Sequence, residues 1–211
     1  MTPEDLAGLH PRLYHVTAPG AWASIARHGL LPASALLDLF EVDAARRADL
    51  TTRRRPAEIR LEHPAHGTAV LSDNLPLSER ALAACLDDGL APRDWLNLLN
   101  DRVFFWADLD GLARLLKARI NRGRPREVLV IDTLGLARAH AGRVEVSPIN
   151  SGSTLRRPAR RGRATFAPLS AMSYAEWRRR RGGRDRILEV VVRGGVADIA
   201  RHLLETRGSG G

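Results

Sequence analysis

The sequence predicts an α+β domain built on a split, mainly antiparallel sheet with flanking helices. Two observations carry this. Helical segments gather in the first half of the chain and strands are more frequent in the second, the pattern of an α+β fold. The all-apolar run Val128–Ile131 has strand length and reads as a central strand, buried on both faces.

The elements follow in order. Pro3 to Leu9 is a short helix. Leu13 to Thr17 reads as a strand, followed by a small-residue turn. The next helix has Trp22, Ile25 and Ala26 on one apolar face, and Gly29 sits where a left-handed C-cap belongs. Residues 33–48 are helical by composition, with Leu36, Leu37, Leu39 and Phe40 as the apolar side, until Arg53–Pro56 breaks the run. Ile59–Leu61 alternates like a strand, and Ala69–Leu71 is a second short one. Ser78 opens a helix reaching about Asp88 and stopped by Gly89. Arg93–Leu99 is another helix. Val103–Trp106 is a strand by its aromatic and branched content. Leu109–Ile120 is a helix with Leu112, Leu115 and Leu116 on one side.

Val144–Val146 is a short strand. Ser147–Ala167 lacks periodicity and is rich in Gly, Ser, Arg and Pro. At about 20 residues it exceeds an ordinary connection, and loops of that length are commonly functional or disordered. Tyr174–Arg180 is helical, Ile187–Val192 is a strand, and Val196–Thr206 is a closing helix. Residues 1–207 read as a single domain, with residues 208–211 as a flexible tail.

A chain of 211 residues with 44% hydrophobic content supports one well-buried core. No apolar run approaches a membrane span, and the polar, acidic Met1–Pro11 is not a secretory signal. The single cysteine, Cys85, lies on an apolar helix face. It excludes an intrachain disulfide and a thiolate zinc cluster, and fits a reducing cytoplasm. No metal is expected. The net charge is +9, and Lys117 is the only lysine. Arginine clusters at Arg53–Arg55, Arg156–Arg163 and Trp177–Arg186 favour a polyanionic partner, nucleic acid first. A GC-rich coding sequence produces the same arginine bias.

Several residues stand out chemically. His15 and Thr17 sit at the mouth between a strand end and a helix. Glu189 interrupts an apolar strand, sharing a face with Ile187 and Val191 by alternation. A carboxylate there is costly to ionise unless it reaches solvent at an edge, pairs with an arginine or lines a cleft. Alternation puts Phe104 and Trp106 on one face and Phe105 on the other. Arg54 and Arg55 precede a proline in a basic triplet. Asn150, Ser151 and Ser153, followed by paired arginines, form a loop whose amides suit phosphate. There is no P-loop, no His-Glu-x-x-His, no Gly-x-Ser-x-Gly and no dinucleotide glycine fingerprint. His63 and His66, beside a proline, read as loop residues.

The Tyr14-His15-Val16-Thr17 strand, the helix ending in Gly29-Leu30 and the late Glu189 together resemble the ADP-ribosyltransferase superfamily. That resemblance implies NAD as a substrate, with His15 and Thr17 fixing the adenosine-side ribose. It implies that Glu189 acts at the reacting ribose and that an aromatic, Phe105 or Trp106, walls the nicotinamide where the family carries tyrosine. Arg54 or Arg55 matches the essential arginine of toxins of the DarT type, and Asn150, Ser151 and Ser153 would contact the same substrate. Arg54-Arg55-Pro56, Leu99-Asn100, Arg102–Trp106, Asp132-Thr133, Ile149–Thr154 and Arg161-Gly162 also resemble an uncharacterised bacterial family. The expectation is a NAD-dependent ADP-ribosyltransferase acting on a nucleic acid or a protein. The alternatives are an RNA 2′-phosphotransferase-like enzyme and a non-catalytic, arginine-rich nucleic-acid-binding module. On the first reading His15 and Glu189 lie on neighbouring strands and face one cleft. Oligomeric state and acceptor stay open.

Overall fold

The computed structural model describes residues 1–121, 123–155, 157–180 and 187–208. Arg156, residues 181–186 of the last arginine cluster and residues 209–211 of the expected tail lie outside the described residues.

Helix starts follow their caps. α1 (Pro3–Leu9) begins at Thr2, whose hydroxyl accepts from the Asp5 amide at 3.1 Å while Asp5 accepts from the Thr2 amide at 2.9 Å. α2 (Trp22–His28) and α3 (Ala33–Leu39) follow. α4 (Ala44–Thr52) is capped by Asp43, α5 (Glu79–Cys85) by Ser78, and α6 (Pro92–Asn100) carries proline in its first turn. α7 (Leu109–Lys117) and α8 (Thr133–Ala139) start at Asp108 and Asp132. α9 spans Tyr174–Arg180.

The strands are β1 (Arg12–Thr17), β2 (Ile59–His63), β3 (Gly67–Leu71), β4 (Arg102–Trp106), β5 (Glu127–Asp132), β6 (Val144–Ser147), β7 (Ala167–Pro168), β8 (Glu189–Arg193) and β9 (Leu203–Gly208). Seven of them form one sheet in the order β7-β6-β8-β4-β1-β5-β9, antiparallel at every junction; β2 and β3 form a separate hairpin. The fold is α+β.

One face of the sheet presents Leu13, Phe105, Leu129, Ile131, Val190 and Val192 to Leu6 of α1, Leu136 of α8 and Trp177 of α9. The other presents Tyr14, Val128 and Val130 to Leu112 of α7, and Val191 to Leu82 and Trp95 of α5 and α6. Each fully buried Leu or Phe in these layers contributes roughly 1.5–3 kcal/mol of transfer free energy. The hairpin packs separately on α3 and α4 through Leu37, Phe40, Leu50, Leu61 and Leu71.

Several sequence expectations need correction. The helix expected over 33–48 is two, because Glu41 adopts φ 51 and turns the chain between α3 and α4. The expected closing helix over 196–206 is a single 3-10 turn, Ile199–Arg201, followed by the edge strand β9, so Gly208 belongs to the sheet. The run Val128–Ile131 lies in β5, interior but next to the edge rather than central. Finally, the apolar face of α2 is only half-buried: Trp22 and Ile25 pack on the core while Ala26 is exposed.

Gly29 ends α2 at φ 84 and ψ 169, a positive-φ extended conformation rather than a left-handed helical one. The reason is a close passage of two backbones. Leu30 and Val196 exchange hydrogen bonds of 2.9 Å, and a Cβ on Gly29 would stand 2.6 Å from the Ala197 Cα. Gly29→Ala is therefore expected to cost roughly 2–4 kcal/mol through strain and backbone displacement. Gly8, where a Cβ meets nothing within 4 Å, is the control: Gly8→Ala should be neutral or stabilising by up to about 1 kcal/mol. Urea denaturation of both variants checks the pair; equal effects would remove the role given to Gly29.

Candidate functional site

Strands β1 and β4 meet at one registered pair among the described residues, Tyr14 with Trp106. The ladder stops where His15 would face Phe105. There His15 Nδ1 lies 2.9 Å from the Phe104 carbonyl, with its ring edge-on to Phe105 at 5.8 Å. A carbonyl only accepts, so Nδ1 carries the proton and Nε2 keeps a lone pair. Burial lowers the His15 pKa, and the hydrogen bond to Phe104 partly offsets this. The side chain fills a gap in the sheet and is neutral there.

Beyond that pair no further rung is registered between β1 and β4 among the described residues, and two hollows lined by both strands lie beside the break, with a third adjoining. One of about 240 Å³ is lined by Glu189, Asn150, Ser151, Phe104 and Trp106. A second of about 300 Å³ is lined by His15, Arg55, Asn74, Asn100, Phe104 and Trp106. These two share Val16, Asp73, Asn74, Phe104 and Trp106 as walls. A third, of about 380 Å³, contains Thr17, Arg27, His28 and His66 and shares Leu31, Leu36 and Val70 with the second.

Glu189 opens β8 and is registered opposite Trp106, so the two side chains stand on one face. It is 5% exposed. Both of its oxygens accept from the Ser151 amide at 3.2 Å. Burial raises its pKa from 4.5 to about 7; hydrogen bonds from Ser151 and the positive charge of Arg161 act the other way without cancelling it.

His15 and Glu189 are not on neighbouring strands, because β4 lies between them. Nor do they share one hollow: register places Glu189 on the face of Tyr14, whereas His15 belongs to the opposite set and reaches the cleft through the gap in the ladder. They line adjoining hollows with common walls. Phe105 also borders the Glu189 hollow, but it is fully buried in the main core and offers no exposed surface; Trp106, one position on, is half-buried and does. Val191 shares the face of Glu189, whereas Ile187 precedes β8 and packs in the main core.

Arg54 and Arg55 separate in role. Arg55 is 7% exposed and ties three segments together. Its Nε donates to the Ser72 carbonyl at 3.0 Å, and Nη1 donates to Leu50 O at 2.6 Å and Asn100 Oδ1 at 3.0 Å. Among the described residues its Nη2 has no hydrogen-bond partner, and the residue lines the His15 hollow. Burial lowers its pKa to about 10. Arg54 donates to Leu75 O at 2.8 Å and lines none of the three hollows. Thr17 lies in the hollow away from His15, and Ser153 closes a turn, accepting from Leu155, without reaching the cleft. Asn150 and Ser151 do line it. Asn74 escaped sequence reasoning, because an isolated asparagine carries no periodic signal; Asn100 entered it only within the Leu99-Asn100 pair of the family pattern, with no role attached.

His140, Asp198 and His202 form a cluster whose ligand atoms lie within 4.8 Å of one another. Its hydrogen bonds oppose a metal. The Arg143 guanidinium donates to His140 Nδ1 at 2.6 Å, so Nε2 must carry the proton it gives Asp198 at 2.8 Å. No lone pair of His140 remains for coordination.

The raised Glu189 pKa has a stability consequence. The unfolded chain releases this proton near 4.5 and the folded protein near 7. Stability from Glu189 is thus fully present below the first value and lost as pH rises through the second. At about 1.4 kcal/mol per pH unit the loss is roughly 3 kcal/mol. Glu189→Gln does not titrate. Its stability relative to wild type should therefore rise by roughly 3 kcal/mol between about pH 4.5 and pH 8 in urea unfolding. A difference that stays flat with pH would contradict a buried carboxyl.

No curated protein matches the chain in sequence. A family model described as a family of unknown function, DUF7002, matches residues 11–203, a span from the start of β1 to the first residue of β9 that includes His15, Arg55, Trp106, Ser151 and Glu189. The chain belongs to this family.

Proposed function

We propose that the protein is an ADP-ribosyltransferase-like enzyme that uses NAD as a substrate and transfers ADP-ribose to a nucleic acid. The observation that carries this reading is Glu189: a buried carboxyl with its pKa at about 7, facing Trp106's side of the sheet at the end of an elongated cleft. Adjoining hollows of about 240, 300 and 380 Å³ suit an extended dinucleotide.

The residues fit the substrate in a consistent order. Trp106 and Phe104 stand on the Glu189 face and offer aromatic surface to a flat nicotinamide ring, where the superfamily resemblance expected tyrosine. The free Nε2 lone pair of His15 suits a ribose hydroxyl. Arg55 presents Nη2 for a pyrophosphate oxygen. Thr17 opens the hollow on the adenosine side. When bound, NAD supplies a ribose carbon whose bond to a cationic nicotinamide breaks through an oxocarbenium-like state. Glu189, in its carboxylate form, stabilises that charge, and the Ser151 amide holds it in place. Nicotinamide departs neutral and the acceptor loses a proton on attack. A carboxylate with a pKa near 7 is matched to receive that proton at neutral pH. Exposed arginines at Arg157, Arg163 and Arg179–Arg180 supply positive surface for a nucleic-acid acceptor.

NAD should raise the melting temperature of the wild-type protein by binding the native state. Glu189→Gln should keep that rise while nicotinamide release, measured with DNA or RNA present, falls roughly 100-fold or more. Absence of any thermal shift with NAD would overturn the reading and leave a nucleic-acid-binding module. Full turnover by Glu189→Gln would remove Glu189 from the chemistry.

A further inference from the structure

The loop that closes the Glu189 end of the cleft is held by a second buried ion. Arg161 is 2% exposed. Its backbone is pinned to the end of α5: its amide donates to Cys85 O at 2.9 Å, its carbonyl accepts from Asp87 at 2.8 Å, and it forms a parallel bridge with Leu86. The side chain turns inward. Nη1 donates to the Ser151 carbonyl at 2.9 Å and Nε to Ala159 O at 3.1 Å. Trp95 Nε1 donates to the same Ser151 carbonyl at 3.3 Å, and the guanidinium carbon lies 5.8 Å from the Trp95 ring centre.

Ser151 is thereby gripped at both ends. Its carbonyl accepts from Arg161 and Trp95, and its amide donates to both oxygens of Glu189. A guanidinium this buried needs compensating negative charge, yet no carboxylate forms a salt bridge with Arg161 among the described residues. The ionisable groups around it are the Cys85 thiol and Glu189, with Asp87, Asp88 and Arg160 lining the hollow on its outer side. Asp87 is engaged by Arg160, and Asp88 accepts from the Arg163 amide at 2.7 Å. Cys85 Sγ donates to the Leu82 carbonyl at 3.3 Å and so is a neutral thiol; that leaves Glu189, joined through Ser151, as the buried partner charge.

We propose that Arg161 is a positioning residue for Glu189: it fixes the Ser151 segment that hydrogen-bonds the carboxylate, and its buried positive charge favours the ionised carboxylate. Its importance to turnover rests on the reading of Glu189 as the reactive group, but the link between the two residues does not depend on NAD. Arg161→Gln retains an amide donor and removes the charge; Arg161→Lys retains the charge and loses the planar fork.

The Glu189 carboxyl is followed by carbon NMR across pH, with Glu189→Gln identifying its resonance. Arg161→Gln should move the titration midpoint up by about one pH unit or more, and Arg161→Lys by less. A folded Arg161→Gln protein with an unchanged midpoint overturns the proposal. Two further measurements hold even if that variant does not fold. In the wild type, the Ser151 amide shift should titrate with the Glu189 midpoint; a Ser151 amide indifferent to that pH range overturns the proposal. In Glu189→Gln alone the Ser151 amide should lose that titration, and a Ser151 amide that still titrates over the same range overturns the proposal. A moved midpoint together with no NAD binding would keep the link and discard the substrate.

Discussion

The structure depends on one interrupted ladder. Seven antiparallel strands would ordinarily pair along their full length and leave no opening. Here β1 and β4 pair at Tyr14 and Trp106 and then separate. A strand that loses its neighbour leaves buried backbone groups without partners, which is costly. His15 answers that cost locally by donating from Nδ1 to the Phe104 carbonyl. One side chain thus replaces a backbone rung, and the space it props open becomes the cleft. Trp106 and Glu189 are set on one face by the intact β4–β8 register, and Ser151 is held beside them by Arg161 and Trp95.

The second constraint is electrostatic. The cleft end holds a buried carboxyl whose surroundings raise its pKa, with one backbone amide and a more distant guanidinium opposing the rise. Such an arrangement lowers stability at neutral pH, and regions that keep an expensive ionisable group commonly do so for chemistry. Arg55 shows the complementary device: a buried cation at the wall of a hollow, made tolerable by carbonyl and amide acceptors. Arg102 and Glu145 do the purely architectural version, a two-point pair of 2.7 and 3.2 Å joining β4 to β6 across β8.

Much of the fold was legible because its signals are local. Ser78 is capping chemistry that marks the start of α5. Glu189 was legible as an anomaly, a carboxylate inside an apolar strand. What stayed hidden was long-range or conformational. Glu41 at positive φ divides α3 from α4 with no glycine to signal it. β9 is an exposed edge strand, so its residues lack the apolar run or clean alternation that marks a buried strand. Register, which decides that Trp106 rather than Phe105 faces Glu189's side, depends on pairing partners far apart in sequence. Arg161 looked like any other arginine in a basic loop. Only its bridge to Leu86 turns it inward.

The most direct measurement of the central claim is an NMR titration of isotope-labelled protein with NAD. Perturbations should concentrate beside the break between β1 and β4, at the His15 ring, the Trp106 indole and the Ser151 amide, and spare the opposite core face around Trp177. No perturbation, or perturbations confined to residues outside the cleft, would contradict the claim that the gap between β1 and β4 is the dinucleotide site.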